Sequence, residues 1–251
     1  MHRIAIISDI HGNLPALNAV LEDLDKRQPD SVFCLGDLVD FAPWPNEVIE
    51  PIRQLRIPTL MGNHDERIAF HHAITPIEKH SPAERTARIR AIEHTRQAIS
   101  PKNREYLSEL PRSLRISLGT GNAATRILLV HASTRSVDEY IYEDHSETDL
   151  NRMLRKNNAD ILIMGHTHLP YVRSLPDGKA ALNAGSVGRS KEDKVFAVYL
   201  MLTMSESHFH PEIVRVEYPT DVTIEAIRES GIPEFYAHFL SERSGHKCQK
   251  M

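Results

Sequence analysis

Short apolar runs alternate with stretches of helical spacing along the first 65 residues of the chain. Residues 3–8, 31–35 and 56–60 are apolar runs of strand length, which predict three buried strands. Between the first two, apolar side chains recur over 14–24 at the spacing of a helix face, and a second helix is predicted for about 46–55. This order predicts an α/β fold whose functional side chains lie at the carboxyl ends of the strands.

The alternation breaks between residues 67 and 111. Ser81, with Glu84 three residues later, has the pattern of a capped helix start, and Ser100 is placed to begin another helix before a proline. We therefore predict a helical insert over about 67–111, beside the functional edge of the sheet.

Strand patterns return after the insert, and a Pro-Asp-Gly turn at 176–178 predicts a hairpin. The predicted strands are 114–118, 126–130, 160–164, 171–174, 179–182, 195–200 and 208–218, and the predicted helices are 147–157, 221–229 and 233–240. Together they predict a single domain over residues 1–240, closed by short helices at about 221–240. Residues 241–251 are predicted to be a disordered tail.

Composition narrows the class of protein. The 251 residues suffice for one large domain or two small ones, and 41% hydrophobic with 25% charged residues is ordinary for a globular chain. A formal charge of −4 argues against general nucleic-acid binding, which favours basic proteins. No apolar run is long enough to span a membrane, and the one at 4–7 is too short for a signal peptide.

The two cysteines indicate the compartment. Cys34 lies in an apolar run and Cys248 in the polar tail, so a disulfide between them is not expected. This usage fits a reducing compartment, and we predict a cytoplasmic protein.

Polar groups with metal-ligand chemistry follow the apolar runs. One Gly-Asn-His-Asp or Asp-x-His alone would indicate only a turn, but here such groups recur after five separate runs. We expect Asp9 and His11 to face one side as positions i and i+2 of an extended chain, and Gly62 to allow a sharp bend. The full set is Asp9, His11, Asp37, Asn63, His64, His131, His166 and His168.

Such a mixture of carboxylate, imidazole and amide groups suits borderline divalent metals such as Mn, Fe, Zn or Ni. The groups are too many for one ion and suit two ions that share a bridging carboxylate. Two such ions, roughly 3.5–4 Å apart, can hold a phosphate and a hydroxide in line for attack.

Five sequence blocks resemble the calcineurin-like metallophosphoesterase superfamily. In family order they are Asp9-Ile10-His11, Gly36-Asp37-Leu38-Val39-Asp40, Gly62-Asn63-His64-Asp65, His131 and Gly165-His166-Thr167-His168. The loop 183–188 and the run 39–43 look most like its compact bacterial phosphodiesterase branch. The resemblance implies a four-layer αββα sandwich of two mixed sheets flanked by helices.

The resemblance also implies roles for the matching residues. Asp9, His11 and His168 would hold one metal ion, whereas Asn63, His131 and His166 would hold a second, with Asp37 bridging the two. His64 would protonate the leaving oxygen, and Asp40 would orient His64. Manganese is the favoured metal of the four.

The activity implied is hydrolysis of a phosphodiester by a hydroxide bridging two metal ions. The alternatives are a phosphomonoesterase, a phosphoprotein phosphatase and a dinucleoside-polyphosphate hydrolase. Phe41 stands where the related protein phosphatases carry Arg, and Asp65 where they prefer Glu, which disfavours phosphoprotein phosphatase activity. The expected partner is a small phosphate-ester substrate, and nucleotides are among the candidates. Neither general nucleic-acid binding nor membrane binding is expected. Arg189, after the 183–188 loop, is a candidate phosphate contact.

A non-catalytic protein-binding scaffold is the alternative from another class. The superfamily includes a retromer subunit that keeps the fold but has lost the catalytic His. Here His64 and every matching ligand position remain, which favours the enzyme.

Overall fold

The computed structural model describes residues 1–75, 81–119, 124–205 and 208–244. The strands are β1 (His2–Ile7), β2 (Ser31–Cys34), β3 (Ser113–Leu118), β4 (Thr125–Val130), β5 (Ile161–Met164), β6 (Tyr171–Ser174), β7 (Ala180–Asn183), β8 (Ala197–Met204) and β9 (Phe209–Val216). The helices are α1 (Leu14–Arg27), α2 (Pro45–Gln54), α3 (Asn63–Ala69), α4 (Pro82–Ala98), α5 (Pro101–Ser108), α6 (Glu147–Lys156), α7 (Thr220–Glu229) and α8 (Phe235–Ser244).

The strands form two mixed sheets. The first has the order β2-β1-β8-β9, with β1 parallel to β2 and antiparallel to β8. The second has the order β3-β4-β5-β7-β6, with a parallel centre of β4, β5 and β7 between two antiparallel edge strands. Mixed sheets of this kind allow several strands to end at the same edge.

Alternation along the strands divides the apolar side chains between layers. Ile4 and Ile6 of β1 join a buried cluster with residues of β4 and β5, so this cluster lies between the sheets. Ala5 and Ile7 point the other way, into a cluster with α1 and α2. On the far side of the second sheet, α6 covers Leu128 and its neighbours. The order helix, sheet, sheet, helix confirms the predicted four-layer αββα sandwich.

A smaller buried cluster lies beside the strand ends. Ala87 and Ala91 of α4 pack there with residues of α7 and α8, and Phe41 from the loop after β2 joins them. This cluster places three helices, from two separate regions of the chain, next to the loop that carries Asp40. Within the described chain, no helix combines the length and apolarity needed to cross a bilayer.

The strand predicted for residues 56–60 is wrong. These residues touch the first sheet only at a parallel bridge between Cys34 and Thr59, because Arg56 adopts a left-handed backbone conformation at φ 53°. The Gly-Asn-His-Asp block begins a helix: Asn63 to Asp65 form the first turn of α3, whose N-cap is Gly62.

The C-terminal prediction also needs correction. Helix α8 continues to Ser244, so the first four residues of the predicted tail are helical, and Ser241 is buried against the preceding helical turn. Residues 245–251, and residues 76–80 of the predicted insert, lie outside the described chain.

Candidate metal centre

All nine predicted site residues meet at the carboxyl edge of the two sheets. Their ligand atoms form three overlapping groups, within each of which the atoms lie no more than 4.8 Å apart. The groups are Asp9 with His11 and His168, His11 with Asp37 and His64, and Asp37 with His131 and His166. Asn63 Oδ1 lies 3.2 Å from His131 Nε2, and Asp40 Oδ2 lies 2.6 Å from His64 Nδ1.

Backbone hydrogen bonds between loops fix this arrangement. The loop after β1 bonds the loop after β2 through Asp9 N–H to Gly36 O at 2.9 Å and His11 N–H to Asp37 O at 3.0 Å. The carboxylate of Asp65 accepts the N–H groups of Asp37 and Leu38 at 2.7 and 2.8 Å. Helix α3 is thereby tied to the loop that carries Asp37.

Left-handed backbone conformations concentrate in these loops. Seven non-glycine site residues have positive φ, from 52° to 73°: Asp9, His11, Asp37, Asp40, Phe41, His166 and His168. Such conformations cost L-residues roughly 1–2 kcal/mol each and cluster at functional sites. Asp9 and His11 therefore converge as predicted, but through tight turns rather than through an extended chain.

Gly62 is required because of the limited space around it rather than because of its backbone conformation. Its φ of −85° and ψ of 173° are open to any residue, contrary to the predicted sharp bend. A Cβ at this position would lie 2.1 Å from Asp37 Oδ1. Glycine is therefore required so that α3 can approach the central carboxylate.

Backbone carbonyls set the tautomers of three imidazoles. The Nδ1–H groups of His11, His131 and His168 donate to Val39 O, Leu35 O and Arg189 O at 3.0, 2.9 and 2.8 Å. Since a carbonyl can only accept, each Nδ1 must carry a proton, and each neutral ring then has a bare Nε2.

These bare nitrogens face other acceptors. His11 Nε2 lies 3.1 Å from His168 Nε2, and Asp9 Oδ1 lies 3.1 Å from His168 Nε2. Among the described residues, Asp9 Oδ1 and His166 Nε2 are buried without a hydrogen-bond partner. Lone pairs crowd together in this way only when a cation lies between them, so the donor set fits divalent metal ions.

Asp37 lies between the two sides of the site. Its Oδ2 atom is 3.8 Å from His11 Nε2 and 3.4 Å from His131 Nε2. Burial opposes charge on His131, but Asp37 outweighs it and raises the pKa of His131 to about 10. Burial lowers the pKa of His11 and His166 to about 3, which keeps those rings neutral and able to ligate.

His64 differs from the other imidazoles because its Nδ1 meets a carboxylate. Asp40 Oδ2 is 2.6 Å away, and Arg67 Nη1 lies 3.2 Å from the same nitrogen. Burial raises the pKa of Asp40 to about 7 and lowers that of His64. The Nε2 edge of His64 is left for the cavity.

The structure adds residues outside the five blocks. Ser8 Oγ donates to Asp9 Oδ2, the Tyr140 ring lies tilted by 41° against His166 with ring centroids 4.2 Å apart, and Arg67 joins the His64 pair. Ser8 precedes the first block and Arg67 lies two residues after Asp65, so proximity to the blocks was their only signal. From the sequence, Tyr140 was expected either to line the pocket or simply to pack, and it lines the cavity.

An open cavity of about 760 Å³ lies over the cluster. His64 and His166 lie at its base, and the stacked rings of Tyr140 and Tyr142 form part of one wall. Arg189 and three aromatic rings form another part: Phe41, Tyr236 and Phe239. The cavity is large enough for a small molecule rather than for a single phosphate.

The sequence profile of the calcineurin-like phosphoesterase family matches residues 2–170. A protein of Methanocaldococcus jannaschii, described as uncharacterized protein MJ0912, is 32% identical over 94% of this chain and 96% of its own. The UDP-2,3-diacylglucosamine hydrolase of Coxiella burnetii (strain RSA 331 / Henzerling II) is 26% identical over 78% of this chain and 96% of its own.

A solved structure supports the same relationship. The crystal structure of a metallophosphoesterase from Sphaerobacter thermophilus superposes with a TM-score of 0.73 at 27% identity. The alignment covers 96% of this chain and 99% of that one. The likeness therefore extends beyond the loops of the site to both sheets and the helices around them.

Proposed function

Because the chain belongs to the calcineurin-like phosphoesterase family, we propose that it is a phosphodiesterase that uses two divalent metal ions and His64 as general acid. The observation that carries this proposal is the convergence of bare imidazole nitrogens and carboxylate oxygens around Asp37. Such a donor set has a use in phosphate-ester hydrolysis and no use in a packed core.

The ligand roles follow the two sides of Asp37. Asp9, His11 and His168 would hold one ion, and Asn63, His131 and His166 would hold the other. Asp37, which is close to imidazoles of both sides, would be shared between the two ions. When bound, two ions such as Mn²⁺ supply the Lewis acidity that activates water and neutralises the phosphate.

His64 supplies the proton for the leaving oxygen. Its Nδ1 faces Asp40, which fixes the ring and stabilises the imidazolium, while Nε2 faces the cavity. Burial lowers the pKa of His64 in the free protein. An anionic substrate against the ring favours the charged form and brings the pKa back towards the working pH.

The cavity wall supports a diester over a monoester. A diester carries an organic group on each side of the phosphate and needs room on both. Phe41 and Tyr236 present apolar surface beside His64, in a cavity of about 760 Å³. A phosphate monoesterase has no need of this second surface.

Nucleotides are the favoured substrate type. The Tyr140 and Tyr142 rings are stacked 13° from parallel with centroids 5.8 Å apart, and both line the cavity. Such a surface suits the face of a nucleobase. The name of the Coxiella burnetii relative gives a uridine nucleotide derivative as its own substrate. We also propose a cytoplasmic location, because the two cysteines are not expected to form a disulfide.

The test is hydrolysis of bis(p-nitrophenyl) phosphate and p-nitrophenyl phosphate by metal-stripped protein, before and after addition of Mn²⁺. The expected result is metal-dependent turnover with the diester preferred. Preference for the monoester would favour the phosphomonoesterase alternative. Two bound ions without turnover of either ester, or of any nucleotide diester, would favour the non-catalytic scaffold.

A further inference from the structure

Two hydrogen bonds of its backbone hold Arg189 beside the candidate metal centre. Arg189 N–H donates to Ser186 Oγ at 2.8 Å, and Arg189 O accepts the Nδ1–H of His168 at 2.8 Å. The backbone of Arg189 is therefore fixed against a predicted metal ligand, and its side chain extends from that point into the cavity wall.

Three aromatic rings surround this guanidinium. The Cζ atom lies 4.4 Å from the Phe41 centroid, 4.5 Å from that of Phe239 and 5.5 Å from that of Tyr236. Phe41 follows β2, whereas the other two belong to α8, so distant parts of the chain combine to hold one cation. Cation–π contacts of this kind satisfy the faces of a guanidinium but leave its in-plane N–H groups without acceptors.

The in-plane donors lack protein acceptors. Within the described chain, the Arg189 Nε atom is buried with no hydrogen-bond partner, and no carboxylate lies within 4.0 Å of the guanidinium. Glu84, an acid of the same wall, already accepts the N–H of Ser81 at 2.7 Å. A guanidinium with a buried, unpaired Nε–H and no carboxylate partner is costly, and such a group is retained where a ligand supplies the anion.

The position of the guanidinium separates it from the reacting phosphate. The Phe41 ring that stacks on Arg189 also contacts His11 and His64, with centroids 4.7 and 4.8 Å away. One aromatic ring therefore lies between the guanidinium and the general acid. Arg189 is placed to meet a group next to the phosphate held by the metal cluster, rather than that phosphate itself.

The surrounding wall carries further positive charge. Lys191 and Arg243 line the same cavity, with Arg243 stacked 4.1 Å from Phe239. The acid Glu66 in this wall is engaged by Arg112. A cationic wall in a cleft raises the local concentration of anions, which suits a substrate with more than one negative group.

We propose that Arg189 binds a second phosphate of the substrate, carried next to the phosphate that is hydrolysed. The planar guanidinium offers paired N–H donors with the spacing of two phosphate oxygens. The residue thus selects substrates with adjoining phosphates, such as a nucleoside diphosphate derivative, over esters with an uncharged neighbouring group. This inference rests on the proposed function, because it assumes that one phosphate occupies the metal cluster.

The test measures binding of methylenediphosphonate and methylphosphonate, which differ by one phosphonate and are not hydrolysed. Calorimetry on metal-loaded protein would compare the wild type with Arg189→Met, which keeps an unbranched side chain between the rings. Arg189→Lys keeps the charge without the planar fork. Arg90→Met removes the same charge from an exposed position of α4 outside the cavity and is the matched control.

Arg189→Met should weaken the affinity for the diphosphonate by about 10- to 100-fold, which is the size expected for a charge-assisted bidentate contact. The affinity for the monophosphonate should fall by less than about threefold. Arg189→Lys should fall between, and Arg90→Met should change both affinities by less than about twofold. Equal losses for both probes, or no loss for either, would overturn the proposal. Because the readout is binding, absence of turnover would contradict the proposed function alone.

Discussion

The imidazoles of the site differ in what their Nδ1 atoms meet. His11, His131 and His168 each donate Nδ1–H to a backbone carbonyl, which leaves Nε2 as the atom that can ligate a metal ion. The Nδ1 of His64 instead meets the carboxylate of Asp40, which stabilises the imidazolium against the opposing effect of burial. This difference in one bond is the structural basis for assigning His64 to proton transfer.

Replacement of His64 by Ala should leave both metal ions bound and remove most turnover. The loss should be about 10²- to 10⁴-fold for substrates with poor leaving groups, which need the proton, and smaller for nitrophenyl esters, which do not. Metal analysis and hydrolysis rates of the same preparation would check this. Unchanged rates with poor leaving groups would remove His64 from the mechanism.

Replacement of Asp37 by Asn should act on the metals instead. The carboxylate faces His11 on one side and His131 on the other, so a neutral amide weakens both ion positions at once. Metal content after dialysis should fall below one ion per chain. Asp40→Asn, which changes a carboxylate outside the ligand set, is the matched control. Full occupancy in the Asp37 variant would contradict the bridging role.

The sequence predicted which side chains would meet at the edge of the sheets but not the backbone that presents them. Asp9 and His11 were expected to converge on an extended chain, yet both have left-handed conformations. Local propensity disfavours such conformations, and only the bonds between neighbouring loops hold them. Arg189 shows the same limit: two of its three aromatic partners come from α8, more than forty residues away in sequence, and Phe41 comes from the loop after β2.

At the scale of elements, the loops after β1 and β2 cross closely. Gly12 lies at this crossing, where its N–H donates to Leu38 O at 2.7 Å. A Cβ on Gly12 would lie 2.4 Å from Ala42 O. The loops can therefore approach only because the residue lacks a side chain.

Gly12→Ala should destabilise the protein more than Gly178→Ala. Both glycines have positive φ, 64° and 70°, so both variants suffer a similar conformational cost of about 1–2 kcal/mol. The added methyl group meets open space at position 178. At position 12 it clashes with the neighbouring loop, which should cost about 1–3 kcal/mol more. Urea unfolding would measure the free energies of unfolding. Equal losses in the two variants would show that the loop crossing relaxes freely.

Helix α6 is tied to the loop before it through Asp149. The carboxylate accepts from Arg135 at 2.8 Å and from His145 at 2.8 Å, and Arg152 bonds it from the next turn. Hydrogen bonds from Arg135 and His145 hold the pKa of Asp149 well below its usual value. A depressed carboxyl pKa contributes stability above pH 4 that is lost as pH falls through the folded-state value.

Asp149→Asn should therefore lower the free energy of unfolding by about 1 kcal/mol at pH 7. The difference from the wild type should shrink as pH falls below 4, because Asp149 of the unfolded wild-type chain then becomes protonated while the folded carboxylate stays charged. Unfolding curves at pH 7 and pH 3 would measure it, with Asp144→Asn in the exposed loop before α6 as control. A difference that does not change with pH would rule out the charge as its cause.

Secondary structure could be predicted from the sequence where the hydrophobic period extends over many residues. The prediction failed where tertiary contacts decide the conformation. The helices α1 and α6 and the hairpin of β6 and β7 follow their sequence patterns. The run 56–60 has strand composition, but a left-handed residue at its start leaves only one bridge to the sheet. Tertiary context overrides propensity there.

At the scale of the whole molecule, we propose that residues 1–240 form one domain, with α8 continuing to Ser244. The cluster between the sheets joins Ile6 of β1 to Ile163 of β5 and Leu200 of β8, so both halves of the chain share one core. The C-terminal helix, which the sequence pattern presents only as a closing element, also lines the cavity with Tyr236 and Phe239.

At the scale of the whole molecule, the proposed phosphodiesterase needs two bound ions for catalysis. Metal-stripped protein would be titrated with Mn²⁺ while bound ions per chain and hydrolysis of bis(p-nitrophenyl) phosphate are measured in parallel. Turnover should stay low up to one ion per chain and reach its maximum at two. Asp37 lies between the two ion positions, and the phosphate would need both ions to be held for attack. Full turnover at one ion per chain, or none at two, would contradict the account.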